Sequence, residues 1–155
     1  MFSILLFFHS IFRWLLVLSL GYVIYRSANK YQTGAAFSKT DNKLRHWTAT
    51  IAHIQLMIGM VMYFKSPAVA QFRAVIQVAG SRITEPFFFG LIHISMMIVA
   101  IVIITFGSAV SKRQASDRQK FKLMAIFFSI GLLIILLAIP WPFSPLAQRP
   151  FIRNL

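Results

Sequence analysis

A chain of 155 residues that is 58% hydrophobic and only 12% charged, with a mean hydropathy of +0.73, lies outside the range of soluble domains and calls for lipid as its solvent. With no cysteine, disulfides, thiolate-held zinc, iron–sulfur clusters and covalently attached c-type haem are excluded, because each needs at least one thiol. The net charge of +13 falls between apolar runs rather than on a water-exposed helix or ribbon, so it reads as topology signal and as contact with the anionic headgroups of a bilayer, not as a nucleic-acid interface.

Four apolar runs follow in chain order, at about 2–25, 46–64, 87–110 and 121–139. Each is long enough, at 1.5 Å per residue, to cross a hydrocarbon core of about 30 Å. They predict an all-α integral membrane four-helix bundle forming a single domain over residues 1–155. The first run lacks a basic leader and a small-residue cleavage site and is read as a retained span. The first connector carries Arg26, Lys30, Lys39, Lys43 and Arg45, and the third carries Lys112, Arg113, Arg118, Lys120 and Lys122. Both are predicted cytoplasmic, which puts both termini outside with the weaker basic load of Lys65, Arg73, Arg82, Arg149 and Arg153. In the second connector the stretch Ala68 to Ala79 is too short to cross and mildly amphipathic, as expected of an interfacial segment. Thr84-Glu85-Pro86 reads as the start of the third span, with Thr84 as its N-cap. The fourth span is stopped by Ile139-Pro140-Trp141-Pro142-Phe143, whose aromatic rings suit the headgroup level, and the tail beyond it is too short to bury a core.

Ionisable side chains within a span cost a few kcal/mol and must face protein, water or a cofactor. His9 and Arg13 share one face of the first helix with Leu16 and Leu20. His46, His53, Met57 and Met60 form a stripe on the second, and Gly90, His93, Met97, Ala100, Ile104 and Gly107 another on the third, suited to close packing or a flat ligand. The fourth helix offers only Ser129 and Gly131 and is expected to buttress the others. Two imidazoles from different spans can clamp a b-type haem as axial iron ligands. Counted from their helix starts, His9 and His93 both lie about 10 Å below the outer surface, whereas His53 lies towards the opposite third. The preferred pair is therefore His9 with His93, with Arg13 near a propionate, and the second pair is His53 with His93. The plainer alternative has each histidine bonding a neighbouring helix, with Arg13 answering Glu85 or a lipid phosphate. The methionines Met57, Met60, Met96 and Met97 read as packing.

The chain resembles the small four-helix membrane proteins of Bacteroidetes known as cytochrome b-like. The resemblance rests on His9 followed by Arg13, on Lys39-Thr40-Asp41-Asn42-Lys43-Leu44, on Ala52-His53-Ile54-Gln55-Leu56-Met57-Ile58-Gly59, on His93-Ile94-Ser95-Met96-Met97 and on Ile139-Pro140-Trp141-Pro142-Phe143. It implies a haem b protein of the bacterial inner membrane, its termini periplasmic, that passes single electrons or serves a respiratory assembly. A second haem would require His46, which lies too shallow.

Electron transfer through haem b, with a quinone as partner at the membrane edge, is thus the leading expectation. The alternative is a cofactor-free accessory subunit that assembles with other subunits of a larger inner-membrane complex, its histidines serving as interhelical hydrogen-bonding groups. A proton or metal-ion relay is weakened because Asp41, Glu85 and Asp117 are the only acids and none lies deep in a span. No nucleophilic triad, H-E-x-x-H, P-loop or nucleotide-binding glycine turn is present.

Overall fold

In lipid, backbone polar groups must be satisfied within the segment that carries them, so apolar spans of this length fold as helices. The computed structural model describes residues 2–75, 85–145 and 147–151, and among these all regular structure is helical. Helix α1 runs Phe2–Thr33, α2 Lys39–Lys65, α3 Pro67–Val75, α4 Glu85–Phe87, α5 His93–Arg113 and α6 Asp117–Ala138. A π-helical turn, Phe88–Ile92, joins α4 to α5 in one continuous rod. Four of these stretches, Phe2–Thr33, Lys39–Lys65, Glu85–Arg113 and Asp117–Ala138, are long and apolar enough to cross a membrane.

Helices α1 and α2 run well past the apolar runs at about 2–25 and 46–64, because hydropathy marks where lipid begins and not where helical hydrogen bonding ends. The loop between them is set by local chemistry. Gly34 takes a left-handed φ of 67°, the conformation that ends a helix at least strain. Ser38 then caps α2 in a reciprocal box, accepting from the Asp41 amide at 3.2 Å while Asp41 Oδ2 accepts from the Ser38 amide at 2.8 Å. The expected cap at Thr84 lies outside the described residues, as do Arg82 and Arg153.

The four long elements pack as a ring in which α1 touches α2 and α6, and α5 touches α6 and α2. Leu16, Leu20, Ala52, Ala100, Ile104, Phe121, Phe128 and Ile135 fill its centre. The fourth span, expected to buttress the other three, buttresses two of them, since α6 lies against α1 and α5, presenting Phe121, Met124, Phe128, Gly131 and Ile135 inward while Ser129 faces out. The third-span stripe is also inward: Gly90, Ala100, Ile104 and Gly107 are buried. The second-span stripe is not. His46 and His53 are exposed and Met57 is 70% exposed, and the buried face of α2 is Asp41, Arg45, Thr48, Ala49, Ala52 and Gln55. Both faces repeat at helical spacing, but the small residues Ala49 and Ala52 allow the closer approach that builds a core.

The end carrying the interhelical loops is tied by charge. Asp41, 1% exposed, accepts from Arg26 Nε at 2.7 Å and from Lys30 Nζ at 2.6 Å, which joins α1 to α2. Asp117 accepts from the Phe37 amide at 2.9 Å and from Lys120 at 2.8 Å, while the Phe37 and Phe121 rings meet at 5.1 Å. At the opposite end α3, expected only as an interfacial segment, packs inward: Val69 and Phe72 are buried and Phe72 lies on Phe87. A Cβ on Gly90 would collide with the Phe72 ring, so glycine is what lets α3 close on the π-helical turn.

Replacing Asp41 by Asn is expected to lower the free energy of unfolding by about 2–4 kcal/mol, less than for a fully buried pair because Arg26 and Lys30 keep contact with water. Reversible unfolding of wild type and variant in one detergent checks this.

Candidate functional site

Where α1, α2 and α5 converge near the end of the bundle that holds Phe2 and Phe151, two imidazoles meet edge to face. The rings of His9 and His93 lie with centres 6.5 Å apart and planes at 65°. Phe88 and Phe89 flank His93 at 5.8 and 6.0 Å. The π-helical turn that ends at Ile92 places His93; such turns recur beside functional side chains because they locally rotate one helical face. The Tyr63 hydroxyl holds the turn from α2, donating to the Gly90 carbonyl at 3.0 Å. Beside His9, a Cβ on Gly59 would come within 3.3 Å of the imidazole Cε1, so the bare backbone leaves room for that ring.

The tautomer of His93 follows from its partner. Nδ1 lies 2.8 Å from the Ala138 carbonyl oxygen, an acceptor only, so Nδ1 carries the hydrogen and Nε2 keeps a bare lone pair. That carbonyl is available for a reason written in the sequence. Helical carbonyls accept from the amide four residues on, and four residues beyond Ala138 stands Pro142, which has no N–H. The same arithmetic leaves Leu136 without an amide at Pro140, and there the Trp141 indole donates to the Leu136 carbonyl at 2.8 Å. Two prolines thus expose two carbonyls, and an indole and an imidazole take them.

Gln55, 7% exposed, bridges α2 to α1. Its amide nitrogen donates to the His9 carbonyl at 3.1 Å and lies 3.3 Å from His9 Nε2. The reverse amide orientation would set two acceptor oxygens against each other. His9 Nδ1, Gln55 Oε1 and Arg13 Nε are buried with no hydrogen-bond partner, an uncommon concentration of unmet polar atoms in one place. Arg13 is otherwise engaged: its Nη2 donates to the Ser10 hydroxyl at 3.2 Å and to the Phe151 carbonyl, which Trp14 also reaches at 2.8 Å. Arg13 does not answer Glu85, whose carboxylate is bonded by Arg149.

Two cavities meet at the facing imidazoles. One, of about 400 Å³, extends past Arg13, Gln71, Glu85 and Arg149 towards the chain ends. The other, of about 80 Å³, runs among Leu56, Met62, Ile94 and Ile101. His9, Gln55, Phe89, His93 and Met97 line both. The arrangement offers two imidazole ligands or hydrogen-bonding groups, a neutral amide and cationic side chains around a mainly apolar void. His53 has no share in it: on the outward face of α2, its Nδ1 meets the Ala49 carbonyl at 2.8 Å and its Nε2 lies 3.1 Å from the Thr105 hydroxyl. His46 is also outside, against Trp47.

The residue that sequence reasoning missed is Gln55. Its signal was the run Thr48, Ala49, Ala52 and Gln55 at helical spacing, which marks a closely packed face two positions from the more conspicuous His53. Protein-family models, curated proteins and solved structures were compared with the chain, and none matches it.

Replacing Trp141 by Phe keeps the ring but removes the donor to Leu136, leaving a carbonyl that no amide can reach. The variant is expected to lose about 1–3 kcal/mol of stability, read as a lower midpoint of thermal unfolding in detergent.

Proposed function

We propose that this protein holds one b-type haem between His9 and His93 and passes single electrons within a bacterial inner membrane, its termini on the periplasmic side. The observation that carries the reading is the spacing of the two imidazoles. Two imidazoles that shared one metal ion at metal–nitrogen distances of about 2.0–2.1 Å would have ring centres about 6.3 Å apart, and the rings of His9 and His93 lie 6.5 Å apart.

The donor set supports the same reading. His9 and His93 would supply two imidazole ligands to a metal, and the macrocycle of a haem is a group that would fill the remaining four positions. The two voids that His9 and His93 both line differ as the two edges of a haem differ. The larger has Arg13 and Arg149 on its wall, and the buried Arg13 Nε is a donor suited to a propionate. The smaller is lined mainly by aliphatic and aromatic side chains. When bound, haem b supplies a one-electron couple between iron(III) and iron(II).

The chain's own groups do the rest. His93 presents Nε2 because Ala138 holds its other nitrogen, a hydrogen bond of the kind that fixes ring orientation and raises ligand basicity. Phe88, Phe89 and Met97 exclude water around it. Orientation follows from the basic connectors: Arg26, Lys30, Lys39 and Lys43 at one loop and Lys112, Arg113, Arg118 and Lys122 at the other assign that end to the cytoplasm.

Protein purified gently from a haem-sufficient host is expected to show a Soret band that sharpens and shifts on dithionite reduction. His9→Ala and His93→Ala should each reduce bound haem roughly tenfold or more, by loss of an axial ligand, while His53→Ala should keep it. A wild-type protein that is folded but colourless, or a spectrum that depends on His53 and not on His9, defeats the assignment.

A further inference from the structure

The two axial candidates are unequally supported. His93 has its acceptor in the Ala138 carbonyl, but His9 Nδ1 has none. The only unmet acceptor among the buried side-chain atoms of this site is Gln55 Oε1, on a side chain already anchored to the His9 carbonyl through the other end of the same amide. A buried donor and a buried acceptor, each lacking a partner and each costly to leave so, sit on adjoining residues.

We propose that Gln55 is the positioning residue for His9, holding its imidazole in register with His93 and serving as its neutral hydrogen-bond acceptor when Nε2 is given to a metal. This rests on the haem reading for its ligated form, but not for its resting form. In the resting form the Gln55 amide donates to His9 Nε2 at 3.3 Å, which keeps the hydrogen on Nδ1. Ligation through Nε2 requires that same tautomer, so Gln55 selects it in advance. On ligation the Gln55 amide would leave Nε2 and turn Oε1 to the Nδ1 hydrogen; with the Ala138 carbonyl on the other imidazole, both ligands would then be backed by a neutral amide oxygen, and neither would be drawn towards imidazolate as a carboxylate would draw it. The site then has a device for setting its potential that involves no charged group. Glutamine suits the place physically: glutamate would bring a buried charge into the span, and leucine would leave both His9 nitrogens without a partner.

The test uses the full-length protein in detergent, with Gln55→Glu and Gln55→Leu beside wild type. In haem-loaded samples, potentiometric titration should place the midpoint of Gln55→Glu below wild type and that of Gln55→Leu above it, because a stronger acceptor makes the imidazole a better donor to iron(III). All three should keep a low-spin spectrum. In haem-free samples, ¹⁵N spectra of labelled histidine should show wild-type His9 as a single tautomer protonated at Nδ1, and Gln55→Leu should give a mixture. Potentials that coincide in all three proteins, or a His9 tautomer indifferent to Gln55, overturn the assignment. A wild type that takes up no haem yet shows the Gln55-dependent tautomer removes the haem reading and leaves the positioning role standing.

Discussion

The structure depends on how polar side chains are satisfied in helices that have almost no carboxylates. Three acids stand against sixteen lysines and arginines, and none of the three lies within the central part of a span. Buried donors therefore turn to oxygens of the backbone. Arg45, 6% exposed, donates to the Ser108 carbonyl and hydroxyl and to Asn42 Oδ1. Arg13 and Trp14 share the Phe151 carbonyl, and His93 takes that of Ala138. A carbonyl on a helix is fixed by that helix, so the Arg45–Ser108 and His93–Ala138 bonds also fix the position of one helix relative to another, while Arg13 and Trp14 hold the tail at Phe151 against α1. In a medium where apolar burial between helices gains little, such bonds and close packing decide the arrangement.

The two ends of the bundle use this economy differently. At the loop end, Asp41 is placed by a capping box and neutralised by Arg26 and Lys30, Asp117 takes the Phe37 amide and Lys120, and the Phe37 and Phe121 rings meet beside them. At the other end α3 packs on the π-helical turn through Phe72, a contact that needs Gly90, and Tyr63 holds the turn through its backbone carbonyl. There α2 and α5 meet less extensively than α5 and α6 do, and the voids lie beside them. The buried side-chain nitrogen and oxygen atoms without partners are found beside those voids and nowhere else among the described residues. An opening and a set of unmet donors and acceptors in the same place is the pattern of a binding site rather than of an imperfect core.

Much of the fold was legible in the residues. Four spans of sufficient length could be counted, and the inward stripe of the third, from Gly90 through Gly107, was read correctly because small residues and one histidine share a face there. The second span misled because His53 and two methionines form a stripe as regular as the buried one. Periodicity identifies faces, but it does not say which one meets protein when the other meets lipid and both are apolar. Only Ala49 and Ala52 marked the difference. The level of His9 and His93 was also legible, from counting residues inward from Phe2 and Pro86. Their facing geometry was not, because a π-helical turn rotates His93 by an amount that a uniform helix would not give.

The proline pair shows why part of the site was hidden although its cause was in plain view. Pro140 and Pro142 were read as stopping the fourth helix, which they do. Stopping a helix also strands its last carbonyls, and the position of each stranded oxygen follows from counting four residues back. Leu136 and Ala138 were therefore identifiable as acceptors from the sequence alone. What counting does not supply is which donor arrives, since Trp141 comes from the next turn of chain and His93 from another helix 45 residues away. The termination signal of one span thus fixes the tautomer of a histidine on another.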